Sequence, residues 1–223
     1  MKTAVIIAAG AITDYTYLRT FVNPDKDVII CADGGYDHAL AMGLVPHVLV
    51  GDFDSLRHVP SLSAQTQLIQ LDTDKNYTDT EIAVQQALAQ GITHLTLLGV
   101  TGTRLDHSLA NLLMLNHLNT DTLTTCIINE HNKIYVCKKD KKITLREPAG
   151  QMVSLIPLSP CHGVSTTGLQ YELSDAQLQP HYDQPGVSLG YGYSVSNVIG
   201  GDGYVTATVT VASGELWVIV AKD

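Results

Sequence analysis

The chain has 223 residues, 45% hydrophobic and 16% charged, which is the composition of an ordered globular protein and excludes a disordered acidic chain. Its 13 Lys and Arg stand against 22 Asp and Glu, a formal charge of −9, which excludes a protein that coats nucleic acid through a positive stripe. A phosphorylated small molecule stays open, because a few carboxylates can hold a divalent cation that carries the phosphates.

The first half alternates between two periods. Apolar, β-rich runs occur at Ala4–Ala9, Val28–Ala32, Val48–Gly51, Gln67–Leu71, His94–Val100 and Thr125–Asn129. Between them lie helical patterns at Tyr15–Val22, Tyr36–Met42, Thr80–Gln90 and Leu105–Leu118. Such an alternation predicts a parallel sheet covered by helices on both faces. Thr78-Asp79-Thr80-Glu81 fits a capping box at the start of the third helix, and Gly91 suits its end. In the fourth helix Leu105, Leu109, Leu112 and Leu113 make one apolar stripe, leaving Arg104, His107 and Asn111 on another face.

After about residue 130 the helical period disappears. Lys133–Lys138, Lys142–Glu147, Met152–Pro157, Gly163–Leu173 and Tyr204–Ala221 read as strands, the last broken by Ser213-Gly214 into an expected hairpin. Lys138 to Lys142 reads as a solvated turn. The expected architecture is a Rossmann-like α/β domain over 1–130 followed by a smaller antiparallel β-sandwich domain over 131–223. No apolar run approaches the roughly 20 residues of a membrane span. The apolar start is too short for a secretory signal, so a cytoplasmic protein is expected. Cys31, Cys126, Cys137 and Cys161 lack zinc-ligand spacing and are expected in the core.

The acidic residues of the first half fall just after predicted strands. Asp33 precedes Gly34-Gly35, Asp52 and Asp54 follow the third strand, Asp79 starts a helix, and Asp106 follows the loop Thr101–Arg104. In an open parallel sheet these positions share the carboxyl edge, where such folds bind ligands. Taken singly, an Asp at a strand end is commonly a turn former or helix cap, and Gly34-Gly35 an ordinary turn. Taken together, clustered carboxylates repel one another unless some protonate or a cation neutralises them. The oxygen-only set suits Mg²⁺. Gly34, Gly35, Gly99 and Gly102 can offer backbone N–H groups to an anion, and Lys75 and Arg104 add positive charge.

Cys31–Gly35, Gly51–Ser55, Lys75–Glu81 and Arg104–His107 together resemble the ordered motifs of thiamine pyrophosphokinases. Thr166–Tyr171 and Ser194–Asn197 are similar to segments of that family's β-domain. The resemblance spans essentially the whole chain. It implies transfer of a pyrophosphoryl group from ATP to the thiamine hydroxyl, giving thiamine diphosphate and AMP. It also implies a homodimer whose sites are shared between subunits. Carried over, Asp52, Asp54 and Asp79, with Asp33 close by, are the magnesium carboxylates; Gly34, Gly35, Lys75 and Arg104 face the phosphates. Asp106, Thr78, Tyr171, Ser196 and Asn197 belong to the thiamine site, with Asp106, Arg104 and Asp79 the catalytic set. The chain departs from the family at Gly102-Thr103, where a glycine pair is usual, and at Tyr171, often Trp in eukaryotic relatives. Trp217 reads as a packing residue. Two other readings fit the same residues: a pyrophosphokinase of another hydroxymethyl heterocycle such as a pterin, and a non-catalytic nucleotide or thiamine sensor.

Overall fold

Runs of Val, Ile and Leu too apolar to face water on either side become the central strands of a parallel sheet. A computed structural model of the chain describes residues 2–52, 65–71, 76–180 and 194–222, in two units, Met1–Glu130 and His131–Asp223. In the first unit, β1 (Thr3–Ile7), β2 (Asp27–Ala32), β3 (Val48–Gly51), β4 (Gln67–Gln70), β5 (His94–Leu98) and β6 (Thr124–Ile128) are all parallel. Their spatial order is β6-β5-β1-β2-β3-β4. The chain therefore steps outward on one side from β1 to β4 and returns to the other side of β1 for β5. β4 is the exposed edge strand, and its glutamines keep that edge polar.

The helices are α1 (Tyr15–Arg19), α2 (Gly35–Ala41), α3 (Asp79–Ala89) and α4 (Leu105–Leu118). Val5, Ile7, Ile29, Cys31 and Leu49 of the strands pack with Leu18 of α1 and Tyr36 and Ala39 of α2 in one buried cluster. Each such aliphatic side chain stabilises the fold by about 2 kcal/mol relative to exposure. Gly35 is needed because a Cβ there would lie 1.9 Å from the Ile7 carbonyl oxygen, so α2 rests directly on the β1 backbone. The capping box forms as expected: Glu81 N donates to Thr78 Oγ1 at 3.2 Å, and Thr78 N donates to Glu81 Oε2 at 2.7 Å.

The leucine stripe of α4 departs from the sequence expectation. Leu105, Leu109 and Leu113 are 68%, 47% and 56% exposed, while Ser108 and Leu115 are the buried positions. The inward face is chosen by hydrogen bonding. Ser108 Oγ accepts from Gly102 N at 3.1 Å and donates to Arg104 O at 2.9 Å, and Asn111 Nδ2 donates to Val100 O at 2.7 Å. These bonds satisfy loop backbone groups that leucines would leave unpaired.

In the second unit, β7 (Asn132–Lys138), β9 (Met152–Pro157), β12 (Ser194–Val198) and β14 (Glu215–Ala221) form antiparallel pairs in the order β12-β9-β14-β7. A separate antiparallel sheet runs β11 (Ala176–Leu178), β10 (Cys161–Thr167), β13 (Tyr204–Thr210), β8 (Ile143–Pro148). Leu216, Val218 and Val220 from one set and Ala207 and Val209 from the other share a single apolar core. The hairpin expected at Ser213-Gly214 is not formed. β13 pairs with β8 and β10, whereas β14 pairs with β7 and β9. Two alternating strands joined by a short turn can pair or can face each other across a core, and here they face. Gly214 carries the crossing at φ +89, with no room for a Cβ beside the Pro160 carbonyl. The strand expected over 163–173 also stops early, at Thr167, where Gly168 turns at φ +75.

All four cysteines are free thiols. Burial pushes Cys31, Cys126 and Cys161 up from the ordinary thiol value and Cys137 up to about 12, as expected of inert core residues.

Glu130, just beyond β6, pins the loop ahead of α1. Its Oε1 accepts from Thr13 N, from Thr13 Oγ1 at 3.2 Å and from Asp14 N at 3.1 Å. Burial pushes the carboxyl up, but these donors outweigh it and hold the group below its ordinary value. The stabilisation is therefore present above the unfolded value of about 4.3 and is lost as pH falls through the lower folded value. Glu130→Gln is expected to lower the thermal midpoint by a few degrees at pH 7, with the difference closing as pH drops below about 4. Thermal unfolding of both proteins followed at pH 7 and pH 3 checks this; a pH-independent difference would contradict it.

Candidate active site

Where β1 and β5 lie side by side, the chain leaves them in opposite directions, and the crevice between their following loops is the position at which open α/β sheets bind ligands. A cleft of about 390 Å³ occupies it. One wall is Ala8–Ala11 after β1, the other Gly99–Arg104 after β5, with Ala32-Asp33, Thr78–Thr80 and the first turns of α4 closing the remaining sides.

The two loops are zipped together beyond the strand ends. Ala8 N donates to Leu98 O at 2.9 Å, Gly10 N to Gly99 O at 2.6 Å and Ala11 N to Thr101 O at 3.1 Å. A Cβ on Gly10 would fall 2.3 Å from Gly99 O, and Gly99 itself sits at φ +63, so both positions require glycine. His38 supports this corner from α2. Its Nε2 lies 2.8 Å from Gly10 O and its Nδ1 3.0 Å from the Tyr15 hydroxyl. A carbonyl only accepts, so Nε2 carries the proton.

Asp33 stands at the end of β2 at φ +46, its N–H donating to Val50 O at 2.8 Å. Its carboxylate lies over Gly51, where a Cβ would come within 2.0 Å of Oδ1. The glycine ahead of Asp52 is thus the seat of the Asp33 side chain. Asp79 is the first residue of α3, at the helix end whose dipole favours anions. Arg104 reaches the cleft and binds Asp106 in a fork, Nε to Oδ1 at 3.2 Å and Nη2 to Oδ2 at 2.6 Å, with side chains 68% and 65% exposed. The Arg104 hydrogen bonds, followed by the His107 N–H, bring the Asp106 carboxyl down to about 2, and the same pairing raises Arg104.

Of the residues singled out in the sequence, Asp33, Thr78, Asp79 and Arg104 meet at this cleft. Asp52 follows β3 directly after Gly51, the glycine under Asp33, and Asp106 lies at the rim on Arg104. Gly34 and Gly35 are taken up in the start of α2 and lie outside the cleft wall. Asp54 and Lys75 fall outside the described residues. Among the described residues no three His, Cys, Asp or Glu side chains group closely enough to hold a metal ion. Gly10, His38, Ser108 and Asn111 contribute through contacts that no local motif announces, and Gly51, within the motif Gly51–Ser55, takes its role only from the approach of Asp33.

Tyr171, Ser196 and Asn197 belong to the second unit. A bulge in β12 sets four residues, Ser194 to Asn197, against three on β9, Leu155 to Val153, with Ser196 at φ +58. The extra residue leaves Ser196 exposed and turns Asn197 inward to 4% exposure. Tyr171 is 66% exposed.

Comparison with known proteins agrees over both units. The family description "Thiamin pyrophosphokinase, catalytic domain" matches residues 21–127, and "Thiamin pyrophosphokinase, vitamin B1 binding domain" matches 140–215. The second match separates a thiamine enzyme from a pterin one. The thiamine pyrophosphokinase of Bacillus subtilis (strain 168) is 26% identical over 191 residues, covering 80% of this chain and 85% of the relative. A crystal structure of the Bacillus subtilis enzyme superposes with a TM-score of 0.79 at 24% identity, covering 100% of both chains. The thiamin pyrophosphokinase of Geobacillus thermodenitrificans gives 0.76 at 24% identity, covering 100% of this chain and 98% of that one. That of Candida albicans gives 0.71 at 18%, covering 99% and 89%. With both domain descriptions matched in order along one chain whose fold is theirs, the chain belongs to the thiamine pyrophosphokinase family, the enzymes that transfer the pyrophosphoryl group of ATP to thiamine.

Proposed function

We propose that the cleft at the ends of β1 and β5 is where this enzyme binds the ATP polyphosphate and where the thiamine hydroxyl attacks. The observation that carries the reading is the convergence of Asp33, Asp79, the α3 N-terminus and Arg104 on one crevice at the reversal of strand order. That reversal also supports describing the first unit as Rossmann-like, and the shared core of the second supports a β-sandwich.

Mg²⁺ suits the donors here, which are all carboxylate oxygens, and the missing side chain at Gly51 leaves the Asp33 carboxylate its place at the edge of the sheet. Asp33, Asp52, Asp54 and Asp79 would hold the cation, which supplies neutralisation of the phosphate oxygens when bound. Arg104 binds phosphate with the fork it now turns to Asp106. The thiamine oxygen forms its bond to the β-phosphorus as the bond from that phosphorus to the α–β bridging oxygen breaks. AMP leaves and the hydroxyl proton passes to water. Asp106, ionised throughout the neutral range, accepts a hydrogen bond from the hydroxyl and aims it. A loose transition state needs little early deprotonation, so orientation matters more than basicity. Thr78 holds the α3 start beside the thiamine hydroxyl, and Lys75 completes the phosphate side, with Gly34 and Gly35 backing it from the start of α2 behind the cleft wall. Tyr171, Ser196 and Asn197 form the thiamine side.

The exposed leucines of α4 support a homodimer, since a stripe of this kind is unfavourable in water. Sites shared between subunits follow the family pattern. The charge of −9 supports a protein with no nucleic-acid partner, and no described helix is long and apolar enough to cross a membrane. The reading is of a cytoplasmic enzyme with no membrane partner.

AMP release from ATP and Mg²⁺ with and without thiamine, followed by product mass, tests the assignment. Thiamine-dependent AMP with a diphosphate product is expected. Asp79→Asn should lower kcat by about a hundredfold or more while the protein stays folded; unchanged turnover at saturating Mg²⁺ would reject its place in the site. Asp106→Asn should reduce kcat yet leave the pH profile between 5 and 8 unchanged in shape, because the carboxyl, at about 2 beside Arg104 and in the ordinary aspartate range of about 4 once Arg104 turns away, does not titrate there. An acid limb that disappears in the variant would make Asp106 the base. Leu109→Glu combined with Leu113→Glu should give a monomer by sedimentation, and a dimer that persists would remove α4 from the interface.

A further inference from the structure

The segment after β10 presents an aromatic ring to solvent from a backbone fastened on both sides. Gly168 N donates to Glu172 Oε1 at 2.7 Å, and Thr166 closes the far end, its N–H donating to Leu173 O at 3.0 Å and its Oγ1 accepting from Leu173 N at 2.8 Å. On the other side the segment pairs with the end of β12: Gly200 N donates to Gly168 O at 3.0 Å and Gln170 N to Val198 O at 2.8 Å. At Tyr171 this backbone pairing gives way to a side chain. Asn197 Oδ1 accepts from Tyr171 N at 3.1 Å, and Asn197 Nδ2 donates to Tyr171 O at 2.7 Å. Oδ1 also accepts from Val198 N at 2.9 Å.

The amide of Asn197 thus copies a peptide group, giving one acceptor and one donor to the main chain of a single residue. Both acceptor directions of Oδ1 are occupied, and the residue is only 4% exposed. It has little left to offer a substrate. Asp lacks the donor, Ala lacks both groups, and Ser has them on one oxygen that cannot span the N–H and the C=O together. The bulge that places Ser196 at φ +58 is what rotates this amide inward. Tyr171, by contrast, leaves its ring 66% exposed on an immobilised backbone, a rigid aromatic face suited to a cationic heteroaromatic ring.

We infer that Asn197 is a positioning residue, which acts on the substrate only through Tyr171 by fixing the main chain that carries the aromatic face. The inference rests on the thiamine reading above, whose thiazolium ring supplies the cation. It replaces direct contact of Asn197 with thiamine by an indirect role.

A double-substitution cycle on the full enzyme tests it, with KM for thiamine, KM for ATP and kcat measured at saturating Mg²⁺. Tyr171→Ala, at an exposed position, should raise KM for thiamine about tenfold and leave KM for ATP and kcat within about twofold. Asn197→Ala should reproduce that pattern. The two together should do no worse than Tyr171→Ala alone, because with the ring gone its positioning no longer matters. Tyr171→Phe keeps the ring and should raise KM for thiamine less than Tyr171→Ala does. If Asn197→Ala does not fold, Asn197→Asp serves in the same cycle: it keeps the acceptor for Tyr171 N and replaces the donor to Tyr171 O. A double variant near a hundredfold, the product of the two single effects, overturns the inference, since Asn197 would then contact the substrate itself. So does an Asn197 variant whose KM for thiamine is unchanged. An unsubstituted enzyme without thiamine-dependent AMP rejects the thiamine reading and this inference with it, whereas an additive cycle in an active enzyme rejects the inference alone.

Discussion

The close approach of two glycines at the ends of neighbouring parallel strands is the contact on which the site depends. Gly10 N meets Gly99 O at 2.6 Å, at a separation no side chain would permit. This keeps β1 and β5 paired past the sheet, so the loops that follow part only beyond the Ala11–Thr101 bond and open the crevice there. Every other group reaches that crevice from a neighbouring strand end. Asp33 arrives over Gly51, Asp79 on the capped start of α3, and Arg104 on a loop held to α4 by Ser108 and Asn111. His38 secures the same corner through the Gly10 carbonyl. The site is therefore backbone first and side chains second, as suits a reaction in which positioning and charge neutralisation do most of the work.

In the proposed reaction the Arg104–Asp106 pair would join the two substrates electrostatically. A guanidinium and a carboxylate that neutralise each other at the rim are also the groups assigned to phosphate and to hydroxyl. Turning Arg104 toward a phosphate would release Asp106 to accept from the hydroxyl, so that in this proposal the two partners of the reaction would be received by halves of one ion pair. Since both side chains are largely exposed, separating them costs little compared with a buried pair.

The second unit shows the opposite case, where charge is buried and structural. Lys133 of β7 lies 2.7 Å and 3.0 Å from the two oxygens of Glu147 on β8, with side chains 19% and 9% exposed. Removal of either partner from such a pair leaves a desolvated charge, a loss of about 3 kcal/mol. In the same unit Asn197 uses a neutral amide to continue a β pairing that the bulged backbone cannot make. Both devices hold loops and edges without enlarging the apolar core.

The local rules of the sequence were enough for the elements and for their order. Runs such as Val28–Ala32 are apolar on both faces and can only be interior parallel strands, and the Thr78–Glu81 box determines a helix start from four residues. Placing the aspartates after strand ends needed nothing more, because parallel topology sends all carboxyl ends to one edge. What the tertiary structure decided is which of two equally periodic alternatives won. The α4 leucines look like a core stripe by spacing, yet Ser108 and Asn111 take the inward face because loop carbonyls and N–H groups demand partners there. The strands β13 and β14 look like a hairpin, yet each buries its apolar face from the opposite side of one core. The motif Ser194–Asn197 gives no sign of the hydrogen bonds that tie the Asn197 amide to the Tyr171 main chain. Periodicity records which residues prefer burial, whereas the unpaired polar groups and close contacts that choose a partner exist only once distant segments have met.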